Sequence, residues 1–176
     1  MQLQELGRRI CILGPSNSGK STLAAAIARK LGLPAVHLDQ LHHLPGTDWQ
    51  PRPTAEFVAL HDAAIAGESW VMDGNYSKCM PQRLQRATGV ILLDISVPAS
   101  LLRYFRRTLF EHRRVGSLEG GRDSVKWLMI RHIAVVSPKN RRRYAAMFDK
   151  IGLPKVRLAS IGAISRAYRA WNLQRP

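Results

Sequence analysis

Apolar positions along this chain fall into short continuous runs, separated by stretches in which they recur three or four residues apart. "RRICIL" (8–13), "PAVHLD" (34–39), "WVMDG" (70–74), "GVILLDIS" (89–96) and "KVRLAS" (155–160) read as strands. Runs apolar on consecutive residues belong to strands covered on both faces, because a strand with one wet face alternates. "GKSTLAAAIARKLG" (19–32) reads as a helix of good formers, with Leu23, Ile27 and Leu31 four apart and Gly32 as its stop. A helix capped by Thr54 covers 54–68, a short one follows Pro81, and another runs from Pro98 through Arg114. Two more flank Ser137-Pro138, and a closing helix spans 161–173. "LHHLPGTDWQPRP" (41–53) is a proline-punctuated loop, and "GSLEGGRDS" (116–124) a flexible break. Strands alternating with helices predict an α/β fold, a parallel sheet with helices on both faces. Ligands of such sheets sit at the carboxyl ends of the strands, which singles out Asp39, Asp73 and Asp94.

Between the first strand and the first helix stands "GPSNSGKS" (14–21), the spacing G-x-x-x-x-G-K-[ST] of a phosphate-binding loop. A phosphate chain wrapped by backbone N–H groups needs side chains out of the way, and Gly14 and Gly19 allow that approach. The residues between and after them, Pro15, Ser16, Asn17, Ser18, Lys20, Ser21 and Thr22, complete the candidate nucleotide site. The helix start presents N–H groups and a positive dipole end to the anion. Lys20 reaches the β- and γ-phosphates of ATP, and the Ser21 hydroxyl ligates Mg²⁺. Two plainer readings compete. One is a Gly/Ser connection with no ligand. The other is a dinucleotide fold, for which Asp39 lies at a fitting distance. The latter has Ser16 where its second glycine belongs and no use for Lys20-Ser21.

At 176 residues the chain is expected to be one domain, 1–176, with a real core, and its 45% hydrophobic content is ordinary for a globular protein. No apolar stretch reaches the ~18–20 residues of a membrane span. "MQLQELGRRICILG" reads straight into structure without a signal peptide, and Cys11 and Cys79 make no disulfide framework. A cytoplasmic protein is the expectation. Charge changes the picture more. Of the net +15, +9 lies between Leu101 and Arg143, where twelve Lys and Arg face only Glu111, Glu119 and Asp123. Nucleic acid, membrane surfaces and polyanionic substrates are all open as partners on charge alone.

"GPSNSGKST", "VHLDQL", "WQPRP", "WVMDGNYS" and "RLQRATGVILLDIS" together resemble the DNA topology modulation protein (FlaR-like) family, small P-loop proteins related to adenylate and shikimate kinases. The likeness runs along nearly the whole chain, loosest between Val115 and Ser137, and "DGNY" (73–76) with Leu38-Asp39 and Arg52-Pro53 carries its narrower part. It implies a five-stranded parallel sheet of order 2-3-1-4-5 and a mobile lid at about 115–137.

Beside that resemblance the remaining candidates are weighed singly. Asp73 ends an apolar strand and would share the Mg²⁺ shell with Ser21, or merely cap an Asp-Gly turn. Asp39 would orient an acceptor hydroxyl or take its proton, as the acid at this place does in shikimate and gluconate kinases, or cap the next segment. Arg103 and Arg107 share a helix face, spaced as in adenylate kinases where the lid begins, and with Arg141 would close over the phosphates; a solvated basic face is the alternative. Arg52 and Arg83 are candidates for the acceptor side. The six histidines lack metal spacing, adjacent His42 and His43 are expected to point apart, and Asp94 more simply caps a strand. Trp49, Trp70, Trp127 and Trp171 read as core, with Trp49 a possible acceptor-pocket wall. Adenylate kinases continue the third-strand motif as Asp-Gly-Phe-Pro-Arg where this chain has "DGNYSK", which removes a residue that serves AMP recognition. The expected activity is transfer of the γ-phosphoryl group of ATP·Mg²⁺ to a small-molecule or nucleotide acceptor. Two alternatives stand beside it: a nucleotide-dependent DNA-binding regulator of weak, non-specific affinity, and an ATP-binding protein without catalysis.

Overall fold

The structure, a computed structural model, describes residues 1–47, 49–110 and 137–175. The expected lid, apart from Ser137, and the first of the two helices flanking Ser137-Pro138 lie outside the described residues.

Five parallel strands form one sheet in the order β2-β3-β1-β4-β5. They are β1 (Arg9–Leu13), β2 (Ala35–His37), β3 (Trp70–Asp73), β4 (Gly89–Leu93) and β5 (Lys155–Leu158). The helices are α1 (Lys20–Leu31), α2 (Leu38–His42), α3 (Thr54–Ala66), α4 (Met80–Arg86), α5 (Val97–Phe110), α6 (Ser137–Lys150) and α7 (Ile161–Ala170). Each strand's period-two alternation sends neighbouring residues to opposite faces. Ile10 and Ile12 of β1 therefore join Leu23 and Ile27 of α1 and Ile164 of α7 in one apolar cluster. Cys11 and Leu13 join Phe57, Met80 and Phe148 of α3, α4 and α6 in the other. Because both faces are covered, the central strands read as unbroken apolar runs, and the order 2-3-1-4-5 places β1 and its following loop at the centre.

Several element boundaries depart from the sequence reading. The second strand ends at His37, and Leu38–His42 turns into α2, closed by the His43 N–H to the Asp39 carbonyl at 3.1 Å. Asp39 thus stands in a first helical turn and not on a strand end. Leu38 drives this turn: it is fully buried, against Gly74. Thr54 does not cap α3. Pro53 holds the cap position, its carbonyl accepting from Phe57 at 3.1 Å without any side-chain cap bond. The strands β4 and β5 stop at Leu93 and Leu158, and Ser160 caps α7 through a 3.0 Å bond from the Ala163 N–H. A 3₁₀ turn, Leu3–Leu6, precedes β1 and seats Leu3 and Leu6 in the core.

His61 on α3 is fully buried, with Nδ1 2.9 Å from Asp62 Oδ1 and Nε2 without a partner. Burial lowers its pKa from the ordinary 6.5, outweighing the opposite pull of Asp62. The ring stays neutral in the fold, while the unfolded chain takes up a proton as pH falls through about 6.5. Stability is therefore present in full above that pH and declines below it. Urea midpoints between pH 7.5 and pH 5.5 should fall, and His61→Phe should flatten the fall; an unchanged slope would assign it elsewhere.

Candidate active site at the carboxyl ends of the strands

The loop after β1 turns through left-handed backbone. Gly14 has φ +148°, Asn17 φ +60° and Gly19 φ +94°. A Cβ on Gly14 would lie 2.5 Å from the Leu93 carbonyl oxygen, so the loop passes too close to β4 for any side chain. Helix α1 starts at Lys20, whose Nζ donates to the Pro15 carbonyl at 2.9 Å. The ammonium thereby lies across the loop it follows. One residue on, Ser21 Oγ donates to Asp73 Oδ2 at 2.7 Å.

Asp73 ends β3 and is only 4% exposed. Its other oxygen meets Nδ1 of His37, which faces it in the β2–β3 register. Ser21 and His37 thus hold one carboxylate from two elements. A hydroxyl and a carboxylate oxygen at this separation are a donor set that magnesium takes, with water completing its shell. The residues fit the ion.

Asp39, exposed on α2, accepts from the Tyr76 hydroxyl at 2.6 Å. Burial, then the Asp39 carboxylate, push the Tyr76 phenol far above its ordinary range, with Asp73 adding in the same direction. Tyr76 stays a proton donor, held on Asp39. The ring of His42 packs 4.7 Å from Tyr76 and 5.0 Å from Phe57. His42 and His43 do not point apart as expected. Their rings meet at 4.5 Å because α2 ends at His42 and His43 is extended. Burial, then His43, lower the pKa of His42, which favours the neutral ring. Trp49, 37% exposed, stands edge-on to His43 at 5.1 Å and is not core.

The predicted arginines separate. Arg103 on α5 lies against the loop: a Cβ on Gly19 would be 2.5 Å from its guanidinium. Arg107 follows on the same helix, its side chain outside the described residues. Arg141 on α6 is committed to Asp94, through Nε to Oδ1 at 2.5 Å and an outer nitrogen to the backbone carbonyl at 3.3 Å. This ties α6 to the end of β4. Arg52 bonds the Leu41 carbonyl at 3.1 Å and approaches Glu56 at 3.5 Å, closing the 41–53 loop on itself. Arg83 is fully buried, its guanidinium on the carbonyls of Gly74 and Asn75. The expectation that Arg83 contacts an acceptor is corrected: α4 packs under the sheet end and carries the side chain into the interior.

Three residues of the site were not anticipated. His37 reads as an ordinary strand residue until its register with Asp73 is known. Asn75 and Tyr76 end "DGNY" (73–76), where the motif was visible but the bonds of its last two residues were not.

No family model matches this chain, and no curated protein matches it. Among solved structures, a gluconokinase from Sinorhizobium meliloti 1021 superimposes with a TM-score of 0.52 at 15% identity, covering 95% of this chain and 93% of that one. A shikimate kinase from Bacteroides thetaiotaomicron gives 0.51 at 14% identity, covering 92% and 94%. At such identities the likeness is one of fold: a five-stranded parallel sheet of order 2-3-1-4-5 with helices around it, as in P-loop kinases.

Proposed function

We propose that this protein is an ATP-dependent phosphotransferase that passes the γ-phosphoryl group to a hydroxyl of a small-molecule or nucleotide acceptor. The observation that carries this reading is the 2.7 Å pairing of Ser21 with Asp73 at the head of the phosphate-loop helix, with Asp39 held by Tyr76. Loop N–H groups and Lys20 bind the β- and γ-phosphates, Lys20 exchanging its Pro15 carbonyl for phosphate oxygen. Ser21 and Asp73 would hold the magnesium ion, which neutralises phosphate charge when bound. Arg103, already against Gly19, supplies fixed positive charge at the loop. Tyr76 holds Oδ1 of Asp39, which leaves Oδ2 to accept the acceptor's hydroxyl proton. Arg107 and Arg141 are the further cations assigned to the phosphates. Arg52 shapes the acceptor side by fixing the 41–53 loop.

The "DGNY" motif supports a narrower place among DNA topology modulation proteins, and the absence of any helix among the described residues long and apolar enough to span a membrane agrees with work in the cytoplasm. Exposed Arg142 and Arg143 on α6 favour weak nucleic-acid contact as a second reading, of the counterion-release kind that fades with salt. An acceptor screen tests the main proposal. ADP release should exceed the acceptor-free background with at least one polyol, sugar, cyclitol or nucleoside monophosphate, and Asp39→Asn should abolish the excess. Binding of ATP with no acceptor-dependent release across the panel would leave an ATP-binding protein and overturn transfer.

A further inference from the structure

Arg83 sets an electrostatic puzzle. Its guanidinium is fully buried, yet among the described residues no carboxylate pairs with it, and Nε has no partner at all. An unpaired buried cation is costly. Burial accordingly lowers its pKa. Besides the sulfurs of Met72 and Met80 it holds backbone: one outer nitrogen donates to the Gly74 carbonyl at 3.1 Å and to the Asn75 carbonyl at 3.0 Å.

Asn75 in turn reaches the phosphate loop. Its Nδ2 donates to the Gly14 carbonyl at 2.9 Å, and its Oδ1 accepts from the Gly14 N–H at 3.2 Å. The paired residues of β1 and β3 end at Ile12 and Asp73, and the Gly74 N–H still reaches the Ile12 carbonyl at 3.2 Å. Beyond that point the Asn75 side chain stands in for a strand's main chain and carries the pairing to the first residue of the loop. Asn75 is flanked by Gly74 at φ +127° and Tyr76 at φ +22°, the latter a backbone that a side-chain-bearing residue keeps only where its surroundings hold it.

We infer that Asn75 and Arg83 are positioning residues for the phosphate loop: Asn75 clamps Gly14 from the side, and Arg83 fixes the turn from which Asn75 reaches. The clamp orders the loop's entry before ligand arrives, so that nucleotide binding need not supply that ordering. The inference rests on the proposed nucleotide site, but the clamp itself exists without nucleotide and is measurable there.

The test is a double-mutant cycle of Asn75→Ala and Arg83→Met with two readouts. One is hydrogen exchange of the Gly14 amide in nucleotide-free protein, with β1 and β4 amides as the control. The other is calorimetric affinity for ATP·Mg²⁺. Asn75→Ala should speed Gly14 exchange and weaken ATP binding by about 10-fold each, the size of one ordinary hydrogen bond, with the strand amides unmoved. Arg83→Met should do the same, and the double variant should be no worse than either single. If Arg83→Met does not fold, Arg83→Lys replaces it, with an intermediate effect expected. Normal Gly14 exchange in Asn75→Ala, or additive losses in the cycle, would overturn the clamp. Faster Gly14 exchange in a protein whose wild type binds no ATP would instead support the clamp and sink the nucleotide reading.

Discussion

Lys20→Ala should lose about 10- to 100-fold in ATP affinity, the range for a hydrogen bond to a charged group, and more in turnover, where phosphoryl charge is redistributed. The fold should survive. Lys20 opens α1 on the partly exposed side, and its ammonium bonds a loop carbonyl, so the change acts on the loop and not on the buried clusters. The loop's shape rests on its glycines and on the Gly14 bonds to Asn75, which the variant keeps. The loss should therefore appear as weaker binding in a protein of unchanged melting temperature. Lys20→Arg restores charge but not reach, since the planar guanidinium cannot sit as a point charge between two phosphates. It should recover affinity only in part. Unchanged ATP affinity in folded Lys20→Ala would mean that the phosphates lie elsewhere.

Asp73→Asn is the second large effect, and its signature is a split. The amide is isosteric and still accepts from Ser21, so nucleotide binding without metal should change by no more than ~2-fold, as for an exchange of one hydrogen bond for another. The negative charge that attracts Mg²⁺ is gone, so magnesium-dependent turnover should fall by about 100- to 1,000-fold, the usual scale for losing a fixed electrostatic partner of the transition state. His37 refines the expectation. It contacts the opposite oxygen of Asp73, so His37→Ala loosens the carboxylate without removing its charge and should cost less than Asp73→Asn. Titrating activity with magnesium separates the cases: Asp73→Asn should need far more metal, and His37→Ala only somewhat more. Equal losses with and without magnesium in Asp73→Asn would make the residue a structural bridge between α1 and β3.

What could be read from the chain alone follows from the range over which each signal acts. The loop at 14–21 was legible because its chemistry is local: glycines where backbone must turn, then Lys20 and Ser21 at the first turn of a helix. Central strands were legible because both faces are buried, which writes unbroken apolar runs such as "GVILL". Asp39 was singled out, but its setting was misread, since the α2 turn depends on Leu38 packing under Gly74, 36 residues away and invisible to local pattern. Arg83 was misplaced for a similar reason. An arginine four residues into a short amphipathic segment looks like surface, and only the partners in the folded interior, two carbonyls and the sulfurs of Met72 and Met80, show otherwise. His37 and Asp73 lie in adjacent parallel strands, and the register that brings them together is set by the whole sheet.

The central claim is that residues 14–21 hold the phosphates of a nucleotide, and one series of titrations addresses it most directly. Adenosine, AMP, ADP and a non-hydrolysable ATP analogue are titrated calorimetrically into the wild-type protein, each with and without Mg²⁺. Affinity should climb with each added phosphate, most steeply at the β-phosphate, and Mg²⁺ should strengthen ADP and the ATP analogue while leaving adenosine unchanged. Adenosine binding as tightly as the ATP analogue, or no saturable binding by any of the four, would contradict the account.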